Sequence, residues 1–527
     1  MSQTNCFDRT LQLLQLDQVS QWDLIVIGGG ATGLGVAVDA ASRGQRVLLL
    51  EQSDFAKGTS SRSTKLVHGG VRYLAQGQIG LVYTALHERG LLLQNAAHLV
   101  RKQSFIIPCY SWFGLMKYFV GLKFYQALSG RFSFGRAGYL KRKEVIQHLP
   151  GLNEKGLKGG VRYFDGQFDD ARLAINLAMT ATEKGGVLLN YFRVQRLVTL
   201  RGKVAGVVAK DLETGGEYVL RSRTVVNATG VFVDDILKMD DPGAEPTLRP
   251  SQGVHLMFNK SFLNGDALMI PKTSDGRVLF AVPWHEHVLV GTTDTVMEKH
   301  QLEPRALEEE IGFILGTMEN YLTVPPRRED VLSVFAGLRP LAAPKGDGHA
   351  TKEISRDHKL FVSPSGLVTI TGGKWTTYRK MAEEVVDAVM RVGGMEPVAC
   401  STKELRIHGC CTGDAEEHLA VYGTDSVAIR ALMKEEPALT RRLVEWLPYT
   451  EAEAVWAVRR EMARTVDDVL ARRLRILFLD AQAAMLAAPR AAELIARELG
   501  RDEHWRKEQL IQFNRLASGY LPMPAKN

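Results

Sequence analysis

Residues 23–51 carry the densest chemical signal in the chain: Asp23-Leu-Ile-Val-Ile-Gly-Gly-Gly-Ala-Thr-Gly-Leu-Gly, then Arg46-Val-Leu-Leu-Leu-Glu51. The pattern predicts an apolar strand from Leu24 to Ile27, a glycine turn, a helix, and a second apolar strand closed by an acid. Gly28 permits the tight turn, Gly30 lets backbone amides approach a pyrophosphate, and Gly33 lets the helix pack on the strand. The helix start directs unpaired N–H groups and a partial positive charge at phosphates. Glu51 stands 18 residues beyond Gly33, where a carboxylate can take both hydroxyls of an adenosine ribose. Its charge repels a 2′-phosphate, which disfavours NADP and leaves FAD and NAD both open. A reductase with two dinucleotides needs the fingerprint twice, and no second copy follows.

Other chemistry-bearing residues give weaker signals. Asp169 and Asp170 could pass for paired catalytic carboxylates, but Asp next to Ala171-Arg-Leu reads better as a helix cap. His408-Gly-Cys-Cys lacks the second Cys/His pair that a metal site needs, so no metal is expected. The five cysteines (Cys6, Cys109, Cys400, Cys410 and Cys411) form no disulfide framework, which points to reduced thiols in the cytoplasm.

Those residues must be positioned by a large chain. At 527 residues two or three domains are expected, with the composition of a soluble globular protein: 45% hydrophobic, 24% charged. Met1 to Gln21 has no apolar core of a secretory signal, and no apolar run reaches a spanning length. The net charge of +7 has a local source. Between Arg101 and Lys143 there are nine Lys/Arg, no acid, and eleven aromatics, among them Trp112, Phe113, Phe119 and Phe124. Cations with interfacial rings suit an anionic membrane surface. An ordinary core hairpin and a base-stacking nucleic-acid surface are the alternatives for the same composition.

Strand signals at Val187–Tyr191, Val194–Leu200, Gly202–Lys210 and Tyr218–Leu220 suggest an antiparallel meander. Thr224–Gly230, Leu289–Asp294 and Leu367–Lys374 each run from an apolar strand into or across glycine, and three such junctions can converge on one cofactor from a discontinuous domain. Past residue 400 only five of the 49 glycines remain, and Glu451–Ala471 and Ala491–Leu499 show helical spacing. Pro489 is read as the start of the second of these helices.

Taken together, the motifs resemble the FAD-dependent glycerol-3-phosphate dehydrogenase family along nearly the whole chain. They are Thr59-Ser-Ser-Arg-Ser-Thr-Lys-Leu-Val-His-Gly-Gly-Val-Arg-Tyr-Leu74, Phe168-Asp-Asp-Ala-Arg-Leu173, Val226-Asn-Ala-Thr-Gly230, Gly291-Thr-Thr-Asp294, Gly337-Leu-Arg-Pro-Leu341, Gly372-Gly-Lys-Trp-Thr-Thr-Tyr-Arg-Lys380 and Arg460–Arg473. The resemblance implies an α/β fold in three parts. A Rossmann-like, glycine-oxidase-like FAD-binding domain would take 20–100, 160–250 and 345–395. An antiparallel-sheet substrate cap would take 101–159 and 251–344, including the basic aromatic segment, and an all-helical domain 400–527. It implies oxidation of sn-glycerol 3-phosphate to dihydroxyacetone phosphate, by hydride transfer to FAD N5.

Such a reaction needs a cationic clamp for a phosphate dianion and a base at the alcohol. The resemblance places Arg72, Tyr73, His255, Arg339 and Lys374 at the substrate, with His255, Lys374 and Arg339 at the chemistry. Arg72 and Arg339 are read as standing in Gly/Pro-marked turns. FAD contacts are implied at Gly28, Gly30, Gly33 and Glu51; at Thr59, Ser60, Ser61, Ser63, Lys65, His68, Gly69 and Gly70; at Ala228, Thr229 and Gly230; and at Gly372, Gly373, Lys374 and Thr376. His68 suggests a covalent flavin link by its type, whereas the resemblance points to noncovalent FAD. Arg62 stands within the serine-rich loop where a small residue is expected. The implied electron acceptor is a membrane quinone, with the enzyme peripheral on the cytoplasmic face, no nucleic-acid partner and a homodimer left open. Two rivals remain: an oxidase that passes electrons to oxygen, and a non-catalytic, FAD-containing membrane-binding regulator.

Overall fold

The computed structural model describes residues 7–342, 358–412 and 418–522; Cys6 and residues 345–357 of the expected cofactor-binding region lie outside them. Asp8 caps the first helix, Arg9–Gln18, by accepting from the amides of Thr10 and Leu11. The apolar strand Trp22–Ile27 is then inserted at the centre of a mixed sheet. It lies parallel to Val47–Leu50 on one side and to Glu217–Asn227 on the other. The order across this sheet is Lys359–Val362, Val368–Thr371, Glu217–Asn227, Trp22–Ile27, Val47–Leu50, Val187–Leu189. Parallel strands covered on both faces read as continuous apolar runs, as Leu24–Ile27 and Val47–Leu50 do. The helices Ala31–Ser42, Asp170–Glu183 and Tyr378–Val392 share one buried cluster against this sheet.

The expected four-strand meander is corrected in two places. Val187–Leu189 joins the parallel sheet beside Val47–Leu50, because a fully apolar triplet can be buried on both faces. The true meander is Phe192–Leu200, Lys203–Asp211 and Glu217–Asn227, and the last of these continues without a break into the parallel sheet, absorbing Thr224–Asn227.

A second, ten-stranded sheet is built largely from antiparallel pairs. Within it, Leu248–Asn259 pairs with Ser333–Ala342 over ten positions. Val100–Cys109 lies at its centre, antiparallel to Gly159–Phe168 and parallel to Ala267–Ile270. Hence Gly159–Phe168 and Leu66–Val67, read from sequence with the cofactor-binding part, pair into this sheet.

The basic aromatic segment divides between core and surface. Phe105, Tyr125, Phe132 and Phe134 are buried, whereas Tyr110, Trp112, Phe113, Phe124 and Tyr139 are exposed.

The C-terminal helices enclose an alanine-rich core. Two expectations fail here. Pro489 lies inside the helix Ala481–Leu499, whose start is capped by Asp480 accepting from Ala483. Pro489 is exposed, so the missing N–H falls on the solvent side while the alanines of the same helix stay packed. The helix predicted through Ala471 ends at Arg460, since Glu461 turns inward to a bidentate pair with Arg172 and Met462 takes φ +55°.

Candidate active site

The glycine turn is built as its spacing requires. Gly28 has φ +108°, and a Cβ at Gly33 would stand 1.9 Å from the Gly28 carbonyl oxygen. Gly30 caps Ala31–Ser42, and the Ala31 amide donates to the Ser60 hydroxyl at 2.9 Å, bringing the serine-rich loop over the helix start. The Glu51 carboxylate accepts from the Gly29 and Ser53 amides at 2.7 and 2.8 Å. Burial raises its pKa against those two bonds.

The turn borders a cavity of about 710 Å³ to which residues of both sheets contribute. The cavity is lined by Glu51, Arg193 and Val194, by Gly28, Gly30, Thr59, Ser60 and Ala228–Gly230, and by Arg72, Tyr73, His255, Arg339 and Lys374. All three strand-to-glycine junctions meet there, through Ala228–Gly230, Thr292–Asp294 and Thr371–Gly373. Ser63, His68, Gly70, Gly372 and Thr376 also line it. A cavity of this volume, with a carboxylate and a helix start among its lining, has the features of a dinucleotide site.

Four expected cofactor contacts do not line the cavity. Gly33 packs the helix against the turn behind it. The Gly69 amide donates to the Tyr125 hydroxyl at 2.8 Å. The Ser61 hydroxyl turns toward the Gly58 carbonyl, and its own carbonyl accepts from Lys65. Lys65 is fully buried in an ion pair with Asp170 at 2.7 Å, lying over the rings of Trp284, Phe335 and Phe478. Burial pulls its ammonium down to about 7 despite that carboxylate. Asp170 is therefore an ion-pair partner whose Oδ1 also accepts from the Ala171 amide, and Asp169 is the cap of the helix, which begins at Asp170. Arg62, the unexpected residue in the loop, is accommodated by ion pairing with Glu303 and donation to the Ala336 carbonyl.

His255 and Arg339 stand on paired strands, so Arg339 is not in the turn expected of it. The His255 ring stacks on Phe335 with centroids 5.0 Å apart, and Nε2 lies 2.9 Å from the Thr64 hydroxyl. Burial, then the charges of Lys65 and Arg339, hold its pKa well below the usual imidazole range, so the ring is neutral. A Cβ at Gly291 would come within 2.2 Å of that ring.

Arg339 is likewise a mid-strand residue; its guanidinium donates to the Thr292 hydroxyl at 2.9 Å and the Gln252 carbonyl at 3.3 Å, with Asp294 at 3.7 Å. It crosses directly over Gly253. Arg72 and Tyr73 sit on a one-turn helix, Val71–Ala75, that leaves Gly70 at φ +81°. The Lys374 ammonium lies 3.9 Å from the centre of the Tyr73 ring, a cation–π contact that aligns both side chains at the cavity.

Sequence reasoning missed Thr64, Thr292, Asp294 and Trp375, whose indole N–H donates to the Ser60 carbonyl at 2.8 Å. All four lie inside the quoted motifs, which was the available signal. Arg277 also lines the cavity, and no motif pointed to it.

Residues 23–379 match the family described as FAD dependent oxidoreductase, and residues 367–506 match the C-terminal domain of alpha-glycerophosphate oxidase. The chain is 40% identical to the mitochondrial glycerol-3-phosphate dehydrogenase of Macaca fascicularis, across 95% of its own length and 74% of that protein. It is also 40% identical to the mitochondrial enzyme of Arabidopsis thaliana, across 93% of this chain and 84% of that one. The chain belongs to the FAD-dependent glycerol-3-phosphate dehydrogenase family. The crystal structure of the glycerol-3-phosphate dehydrogenase from Bacillus halodurans complexed with FAD superposes with a TM-score of 0.80 at 30% identity, covering 99% of this chain and all of that one. Family membership decides between the two dinucleotides that Glu51 left open: the cofactor is FAD. The α/β fold with a C-terminal helical domain is that of the family.

Proposed function

We propose that this protein oxidises sn-glycerol 3-phosphate to dihydroxyacetone phosphate and passes the electrons to a membrane quinone. One observation carries the reading: Arg72, Arg339, Lys374 and a neutral His255 line the same cavity as the glycine turn at Gly28 and Gly30. The guanidinium groups of Arg339 and Arg72 take the phosphate, for which planar bidentate donors are suited. Because Arg339 is already bonded to Thr292, it is held for binding at small entropic cost. His255, neutral and with Nε2 at Thr64, takes the proton of the C2 hydroxyl. FAD supplies the acceptor for the C2 hydride. The Lys374 ammonium lowers the cost of negative charge in the cavity. Anaerobic addition of sn-glycerol 3-phosphate should bleach the flavin absorbance; an unchanged spectrum in FAD-loaded protein would refute the assignment.

The quinone reading is supported by the surface of the helix Trp112–Leu128. Trp112, Phe113, Met116, Val120 and Phe124 recur at helical spacing and are 46 to 82% exposed. Lys117 and Lys123 are exposed beside them. A rigid apolar stripe flanked by cations suits an interfacial helix lying in the headgroup region of an anionic bilayer. No helix among the described residues is long and apolar enough to cross a membrane. Attachment on the cytoplasmic face of the cell membrane would give the enzyme access to a bilayer-soluble acceptor. Turnover with a short-chain quinone under nitrogen supports this acceptor, and turnover with oxygen alone would overturn it in favour of an oxidase.

A further inference from the structure

The segment that leads from the ribose acid through the serine-rich loop, residues 51–65, forms one wall of the FAD cavity. Its opposite side is held by arginines that come from more than four hundred residues further along the chain. Arg473 donates two hydrogen bonds to the Asp54 carboxylate, at 2.5 and 3.0 Å, and a third to the Glu461 carbonyl. Arg472 reaches the same Asp54 oxygen at 2.5 Å. Arg475 donates to the Ser61 carbonyl at 3.0 Å and to Asp170 at 2.9 Å, while Asp170 also binds the amide and hydroxyl of Ser63. All three guanidinium groups are almost wholly buried, and none lines the cavity.

Arg475 also holds a left-handed backbone, φ +66°. A non-glycine residue persists in that region only where its surroundings over-determine it. Here they do: its side chain is fastened to the cofactor loop and to the carbonyl of Ala471 in the turn before it.

We propose that Arg473 and Arg475 are positioning residues for FAD, through which the C-terminal helical domain clamps the loop at Asp54 and Ser61 and so sets cofactor affinity. Charge-assisted, two-pronged contacts fix orientation as well as distance. Between the two anchor points lies Ser60, whose hydroxyl meets the Ala31 amide at the helix start. Loosening either anchor lets that hydroxyl and the neighbouring amides leave the positions the pyrophosphate requires. The arginines act through the loop and touch neither cofactor nor substrate.

The test is FAD titration of deflavinated protein, followed by flavin fluorescence, for the native chain, Arg475→Met, Arg475→Lys and the control Arg459→Met. Arg459 belongs to the same domain and pairs with Glu436 and Glu498 rather than with the cofactor loop. Arg475→Met should weaken FAD binding at least tenfold, Arg475→Lys less, and Arg459→Met not at all. The KM for sn-glycerol 3-phosphate at saturating FAD should stay within twofold throughout. A folded Arg475→Met with native FAD affinity overturns the proposal. Hydrogen exchange on the native protein gives a second reading that needs no variant. Because coupling is reciprocal, FAD should slow amide exchange in residues 468–475, none of which lines the cavity. Equal exchange there with and without FAD also overturns it.

Discussion

Gly253→Ala isolates the phosphate clamp without removing any of its members. Gly253 has no positive φ, so alanine suits its strand backbone, and an interior glycine weakens a strand. The added Cβ would stand 2.1 Å from Arg339 Nη2 and 2.5 Å from the Thr292 hydroxyl. Non-bonded heavy atoms settle at about 3.5 Å, so the guanidinium must retreat by more than an ångström and surrender its bond to Thr292. A hydrogen bond to a charged group contributes about 1.5–3 kcal/mol. At about 1.4 kcal/mol per tenfold change, kcat/KM for sn-glycerol 3-phosphate should fall roughly tenfold to a hundredfold. The assay uses FAD-saturated protein with a soluble dye acceptor, and glycerol as a phosphate-free comparison. FAD content and melting temperature should remain native, because the strand pairing is retained, and the slow oxidation of glycerol should hardly change. Native kcat/KM for the phosphate ester in a folded, FAD-loaded variant would refute the clamp; so would equal oxidation of glycerol and glycerol 3-phosphate by the native enzyme.

Gly33→Ala should yield protein without FAD, since its Cβ would collide with the Gly28 carbonyl at 1.9 Å; full flavin occupancy by absorbance would contradict this. His408 provides a pH test: burial lowers its pKa, but hydrogen bonds to Asp425 and Glu183 outweigh this and raise it to about 9. A folded pKa above the unfolded value stabilises the native state fully below about 6.5, and that contribution is lost as pH rises to about 9. The melting temperature should therefore drop across this window more in the native chain than in His408→Gln, and parallel curves would rule the linkage out. For the membrane face, Lys117→Glu with Lys123→Glu and Phe113→Ser should abolish co-sedimentation with anionic liposomes while sparing dye-linked activity. Native binding should weaken with salt, each cation near the surface contributing about 1 kcal/mol, yet persist through its apolar stripe; unaltered binding by the triple variant would place the attachment elsewhere.

What the sequence alone determined is what neighbouring residues decide among themselves. The turn at Gly28, Gly30 and Gly33 follows from local backbone geometry and a short loop, so its spacing carried both the fold of the cofactor sheet and the place of Glu51. The loss of glycine after residue 400 likewise announced helices, because backbone entropy is a local property. Tertiary structure decided where long side chains go, since that depends on which distant carboxylate shares their burial. Lys65, within a cofactor motif, turns away from the cavity because Asp170 and Arg475 form a charge cluster behind it. Arg339 enters from the middle of a strand, and its guanidinium crosses to the paired strand where Gly253 carries no side chain. The segment 101–143 shows one composition but two fates. Phe105, on a strand of the second sheet, and Tyr125, on the helix Trp112–Leu128, are buried, while the same helix leaves Trp112 and Phe113 in solvent. Pro489 and Glu461 were misread for the same reason. A proline tolerated on the exposed side of a packed helix, and a glutamate drawn into a helix break by Arg172, answer to contacts hundreds of residues away in sequence or to the packing of the opposite helix face.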